Sequence, residues 1–245
     1  MTPTESFVSH LIELRNRLLR IVVGLLLVFL CLFPFANQIY ALLALPMLDK
    51  LPEGTQMIAT AVVTPFFVPM KVAMLAAFLI SLPHTLYQLW MFVAPGLYAH
   101  EKKLMLPAIM ASSFLFLMGM AFAYFLVFPV VFSFIVNSAP VGVAVMTDIA
   151  EYLDFVMTLF LAFGFAFEVP IAVILMAHFG WVNVSQLKEI RGYVIVGAFI
   201  VAAVFTPPDI ISQFMLAIPL WLLYELGILF VKLMQPKPNK IHVKL

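Results

Sequence analysis

The sequence predicts an all-α integral membrane protein: one membrane domain, residues 1–245, with six transmembrane helices and both termini cytoplasmic. Three observations carry this. Hydrophobic residues make up 65% of the chain and charged residues 10%, with a mean hydropathy of +1.14. A soluble domain carries about 25% charged residues, so this chain cannot cover a water-facing surface. Long apolar runs recur, separated by short polar breaks. Of the 13 basic residues, 11 fall on the side that an even number of spans gives to both termini.

Residues 1–17 form a charged amphipathic segment. Phe7, Leu11, Leu14 and Leu18 recur at helical spacing, with Glu13, Arg15 and Arg17 among them, the pattern of a helix at a membrane surface. The apolar run that follows is too long for a signal-peptide core and lacks a small-residue cleavage site, so the start does not read as a secretory signal. Span 1 is expected at about 18–36. A polar segment, 37–70, carries Pro46, Pro52, Pro65 and Pro69, and its length predicts a cap of short helices.

Spans 2 and 3 are expected at about 71–93 and 104–127. Between them lies LWMFVAPGLYAHEKK, Leu89 to Lys103. Pro95 and Gly96 end span 2, Trp90, Phe92 and Tyr98 suit a membrane–water boundary, and Glu101 stands beside two lysines. A second cap, 128–152, holds Asp148 and Glu151. Span 4 follows at about 153–179, span 5 at 192–206 and span 6 at 212–231. Spans 1 to 4 reach the ~20 residues that cross a hydrocarbon core. Span 5 measures only roughly 22 Å at ~1.5 Å per residue, which calls for a thinner bilayer or a shielding partner helix. The tail, 232–245, is basic.

Arg15, Arg17, Arg20, Lys102, Lys103, Lys188, Arg191 and the four tail lysines share the terminal side, and Lys50 and Lys71 lie opposite. Basic loops face the cytoplasm. The other side is acidic, with Asp49, Glu53, Asp148, Glu151, Asp154 and Asp209.

The sequence has no phosphate-binding G-x-x-x-x-G-K-[ST], no G-x-S-x-G and no H-E-x-x-H. Its one cysteine, Cys31, sits in an apolar run and reads as packing. The five histidines show no metal-ligand spacing. No cofactor, metal or hydrolytic chemistry is expected, so any energy for transport comes from outside this chain.

Glu168 is the most unusual residue, about 15 residues into span 4. A charge at that depth costs at least ~2.5 kcal/mol on insertion scales, so the group is protonated, paired or turned to a wet cavity. It either touches a substrate or partner, or makes a packing hydrogen bond. Pro170 should kink the helix beside it. Glu225, nearer the end of span 6, reads as a partner of interfacial water or Lys232. His84 and Gln88, four apart in span 2, read as a helix-packing pair. Glu13 and Glu101 are acids within basic segments. They either form local ion pairs, Glu13 with Arg17 and Glu101 with its lysines, or converge on a cationic ligand. Two carboxylates hold two guanidiniums well.

Four motifs then stand in order: His10-Leu11-Ile12-Glu13-Leu14-Arg15 with Arg17; Phe92-Val93-Ala94-Pro95-Gly96-Leu97-Tyr98 with Glu101; Phe167-Glu168-Val169-Pro170; and Thr206-Pro207-Pro208-Asp209. With these the chain resembles, over nearly its whole length, the TatC family, receptor subunits of the twin-arginine protein translocase. The resemblance implies a concave, glove-like bundle with short fifth and sixth helices in the bacterial inner membrane. It implies binding of twin-arginine signal peptides and proton-motive-force-driven export of folded proteins in a complex that includes further copies of the chain. Glu13 and Glu101 would take the arginines with Phe92 and Arg15 beside them, and Glu168 would line the concave face under the signal's apolar part. Thr206 and Gln213 would contact the single-span subunits TatA and TatB, and Pro46 falls at a position the family needs. Some relatives carry Arg where this chain has Lys102-Lys103, a change that keeps the charge. The competing readings are a proton-coupled small-solute transporter with Glu168 as relay, and an intramembrane enzyme, against which the missing nucleophile and metal sets argue.

Overall fold

The structure, a computed structural model, describes the backbone of residues 3–49, 57–93, 102–137, 146–206 and 210–234. Glu101, the Pro95–Tyr98 motif, Pro207–Asp209 and residues 235–245 of the basic tail lie outside the described residues. The described backbone is helical apart from short connections. Its helices are α1 (Pro3–Leu32), α2 (Ala36–Leu48), α3 (Thr64–Val93), α4 (Lys102–Phe122), α5 (Phe128–Asn137), α6 (Ile149–His178), α7 (Val184–Glu189), α8 (Arg191–Phe205) and α9 (Ile210–Met234). A 3-10 turn, Phe33–Phe35, joins α1 to α2, and a π turn, Ala123–Val127, joins α4 to α5.

Among the described residues, five helical stretches are long and apolar enough to cross a membrane: Val8–Pro46, Thr64–Phe92, Leu106–Val136, Ile149–His178 and Gln213–Met234. The apolar helix Arg191–Phe205 is shorter. Much of the apolar surface faces outward; Leu30, Phe125 and Val204 are each more than half exposed. Such a surface suits lipid tails and not water.

The chain divides into two compact units, Met1–Gly164 and Phe165–Leu245, with the division inside α6. In the first unit α3 packs against α1, α2 and α4. Its core is aromatic: the Phe122 and Phe163 rings lie 5.5 Å apart, Phe128 and Phe160 5.0 Å, and Phe132 and Tyr152 5.3 Å. In the second unit α9 packs along α8 and touches α7. Val173, Leu187, Tyr224, Ile228 and Val231 form its buried cluster.

Pro46 stands inside α2, where its missing N–H leaves the Leu42 carbonyl without the usual helical donor. The Tyr124 hydroxyl donates to that carbonyl at 2.8 Å. Tyr124 belongs to the π turn, whose wider winding changes the register of side chains along this span. The Tyr152 hydroxyl donates to the neighbouring Leu43 carbonyl, also at 2.8 Å. These two bonds tie α2 to the spans behind it and give a physical role to the proline that the sequence singles out.

Asp148 joins the two connections at the same end of this unit. Ile58 and Asp148 make a parallel bridge, with Ile58 N–H on the Thr147 carbonyl at 3.0 Å and Ile149 N–H on the Ile58 carbonyl at 2.9 Å. The Asp148 carboxylate accepts from the Thr60 hydroxyl (2.6 Å) and Thr60 N–H (2.9 Å), and caps α6 through the Ala150 N–H (2.7 Å). The Thr60 hydroxyl, then these amides, hold the Asp148 carboxyl at about 2, below its ordinary 3.8. The folded value lies below the unfolded one, so the clamp is complete above the ordinary aspartate value and is lost as pH falls from there towards 2. Hydrogen exchange at the Thr60 amide should show protection that disappears over that descent. In Asp148→Asn, protection should be weaker at neutral pH and lack the acid step; an unchanged profile would remove Asp148 from the clamp.

Candidate recognition site on α1 and α3

The first turns of α1 bring His10, Glu13 and Arg17 to one face, at i, i+3 and i+7. The Arg17 guanidinium donates to Glu13 Oε1 from Nε at 3.0 Å and from Nη2 at 2.5 Å. Arg15 turns aside, donating to Asn16 Oδ1 from Nε and Nη2 at 3.4 and 3.2 Å. The local ion pair anticipated for Glu13 therefore exists, and Arg17 forms it.

α3 runs antiparallel beside α1. The His10 ring stacks on Phe92, with centroids 4.3 Å apart and planes 23° from parallel. Farther along, Gly24 meets His84: a Cβ on Gly24 would lie 3.0 Å from the imidazole Cδ2. The His84 Nε2 is 3.3 Å from the Arg20 carbonyl. A groove of about 390 Å³ opens here, lined by Leu19, Arg20, Val23, Gly24, Leu27, His84 and Gln88. His84 and Gln88 thus face α1, and His84 bonds to the α1 backbone.

The remaining sequence-predicted residues lie elsewhere. Pro46 is buried in α2. Glu168 is half-buried on α6, two residues before Pro170, which lies inside the helix. At 100° per residue, Glu168 projects roughly 140–160° away from Pro170 and Val173. Those two residues meet α9 at Gly227. Thr206 is buried and caps α8, its hydroxyl donating to the Ala202 carbonyl at 2.8 Å. Gln213 is half-buried in the first turn of α9. A groove of about 160 Å³ opens nearby, lined by Ile195, Phe199, Phe214, Ala217, Ile218 and Trp221 of α8 and α9.

Glu225 has a different partner from the one its sequence position suggested. Its Oε2 accepts from Arg191 Nη2 at 2.5 Å, joining the first turn of α8 to α9. Lys232 stands seven residues on, two helical turns or roughly 10 Å along the axis, whereas α8 runs alongside. The Tyr224 hydroxyl next to it donates to the Leu187 carbonyl at 2.7 Å, which ties α9 to α7. An Asn183–Gln186 capping box opens α7 and fixes the turn before α8.

Sequence reasoning singled out Glu13 and Phe92 as candidates but did not single out His10, whose ring connects their helices. No local signal marks that stack, which depends on the register of α1 against α3. The donor to the Leu42 carbonyl did leave a signal, since a proline inside a helix strands the carbonyl four residues earlier.

A helical membrane chain with this motif-bearing antiparallel pair matches the family model described as Sec-independent protein translocase protein (TatC) over residues 9–219. The chain belongs to the TatC family. It is 51% identical over 227 residues to the Sec-independent protein translocase protein TatC of Escherichia coli strain K12, covering 93% of this chain and 88% of that one. With the Haemophilus influenzae protein of the same name it shares 50% identity over 241 residues, covering 98% and 94%. Two crystal structures of the twin-arginine translocase receptor TatC superpose with TM-scores of 0.78 and 0.80, at 37% and 36% identity. They cover 91% and 90% of this chain and 98% of their own. As a TatC-family member with several membrane-length helices, the chain is a multi-pass component of a protein translocase, which is a transport role.

Proposed function

We propose that this chain is the receptor that reads the arginine pair of twin-arginine signal peptides at the cytoplasmic face of the bacterial inner membrane. In this reading it has six spans with both termini inside, α8 being the short fifth span, in a concave, glove-like bundle. The observation that carries it is Glu13: a partly exposed carboxylate among the arginines of α1, one turn from the His10–Phe92 stack. A carboxylate beside an aromatic surface suits a guanidinium, which bonds the first and lies flat on the second. Glu13 takes one arginine of the signal and Glu101 the other, with Phe92 and Arg15 lining the site. The apolar part of the signal runs along the face that carries Glu168.

The groove between α8 and α9, close to Thr206 and Gln213, receives the single-span subunits TatA and TatB. A helix packed there would shield the short α8 from lipid mismatch. Pro46 supports the outer connection in the assembled complex, which contains further copies of the chain. The proton-motive force drives transport.

Crosslinking tests this reading. Twin-arginine and twin-lysine signal peptides are presented to membranes carrying the wild type, Glu13→Ala or Glu101→Ala. The wild type should capture the arginine peptide selectively, and each substitution should reduce capture by about 10-fold or more, the scale of a charged hydrogen bond. Equal capture without the acids would remove them from the site. No capture by the wild type would turn attention to solute transport through Glu168.

A further inference from the structure

Arg17 has a geometry that salt bridging alone does not require. Both of its hydrogen bonds, from Nε and Nη2, fall on one carboxylate oxygen, Glu13 Oε1. A guanidinium edge can span both oxygens of a carboxylate. Here Oε2 lies outside that grip. The pair is also ordered by depth: the Arg17 side chain is 13% exposed and that of Glu13 33%. The cation is recessed and the acid stands in front. Arg15, the nearer cation in sequence, is bonded to Asn16.

We propose that Arg17 is a specificity-determining residue: it cancels the charge of Glu13 and fixes its carboxylate, so that Oε2 accepts an arginine of the signal and rejects a lysine. This rests on Glu13 being a ligand of the signal peptide. A bare carboxylate attracts any monovalent cation, since Coulomb attraction does not distinguish guanidinium from ammonium. With Arg17 behind it, Glu13 has little net field left. What remains is the directed hydrogen bond at Oε2, set against the loss of hydration. A guanidinium is planar, rigid and weakly hydrated, so it keeps most of that bond's value. An ammonium is compact and strongly hydrated, and without the field it has nothing to offset dehydration. Arg17 therefore lowers affinity for both cations and lowers it more for lysine.

The test is a binding titration of fluorescent twin-arginine and twin-lysine signal peptides on the full chain in lipid nanodiscs. The wild type is compared with Arg17→Gln, Arg17→Met, Arg17→Lys and Glu13→Gln. In Arg17→Gln and Arg17→Met the twin-lysine peptide should bind more tightly than to the wild type. The arginine-to-lysine affinity ratio should fall about 10-fold, the size of one near-surface charge interaction. Arg17→Lys keeps the charge and should keep a ratio near that of the wild type. A ratio unchanged in both neutral variants, a fall in arginine binding with no gain for lysine, or failure of both neutral variants to accumulate in the membrane would overturn the proposal. Glu13→Gln separates the two ideas: if it binds the arginine peptide like the wild type, Glu13 is not a ligand and the underlying reading fails first.

Discussion

Gly164→Leu should leave almost no folded protein. Gly164 lies on α6 where the helix meets α4, and a Cβ there would sit 2.5 Å from the Phe116 ring. That distance is well inside van der Waals contact, so one partner must move. The ring has nowhere to go, because Phe116 is 2% exposed and lies edge-on to Phe78 at 6.0 Å. Small residues at helix crossings in membranes permit this closeness of backbones. A single methyl should already cost about 1–3 kcal/mol, and a leucine more than the upper figure. Thermal unfolding in detergent checks this. Gly164→Ala should melt several degrees below the wild type, and adding Phe116→Leu should recover part of the loss. An alanine variant that melts with the wild type would mean that α6 and α4 lie farther apart than described.

Gly227→Val should break the second unit in the same way, with backbone as the obstacle. A Cβ on Gly227 would stand 3.1 Å from the Pro170 Cα and 3.2 Å from the Val173 Cβ. A proline Cα inside a helix cannot turn away as a side chain can. The β-branched residue would push α9 off α6 and open the cluster of Val173, Tyr224, Ile228 and Val231. An expected loss of roughly 2–3 kcal/mol follows from overpacking of this kind. Cysteines placed at Val173 and Ile228 would report it: their crosslinking yield should fall sharply in Gly227→Val and only slightly in Gly227→Ala. Equal yields in all three proteins would contradict the close crossing.

The long helices were legible because bilayer-length apolar runs are a property of the chain itself. Glu13 was legible for a similar reason, being an acid in a basic amphipathic stretch. What stayed hidden depends on register between elements. His10 meets Phe92 only because α1 and α3 run antiparallel with Gly24 against His84. Glu225 meets Arg191 only because α8 folds back along α9, whereas the sequence offered Lys232 on the same helix. Pro46 reads locally as a break in structure, yet it sits inside α2 because Tyr124, 78 positions later, supplies what the proline lacks. Glu101, the second acid of the proposed pair, lies outside the described residues.

The bond between Tyr124 and the Leu42 carbonyl also constrains how this sequence can drift. Were Pro46 to change first, residue 46 would regain its N–H and satisfy Leu42 within α2, and position 124 would be released from carrying a hydroxyl. Were Tyr124 to change first, the carbonyl would be stranded at once, a state that costs about 1–3 kcal/mol when water cannot reach it. One order of substitution is nearly level and the other runs uphill. Descendants of this chain that lack Tyr124 should therefore have lost Pro46 beforehand, and those that keep the proline should keep a hydroxyl at 124.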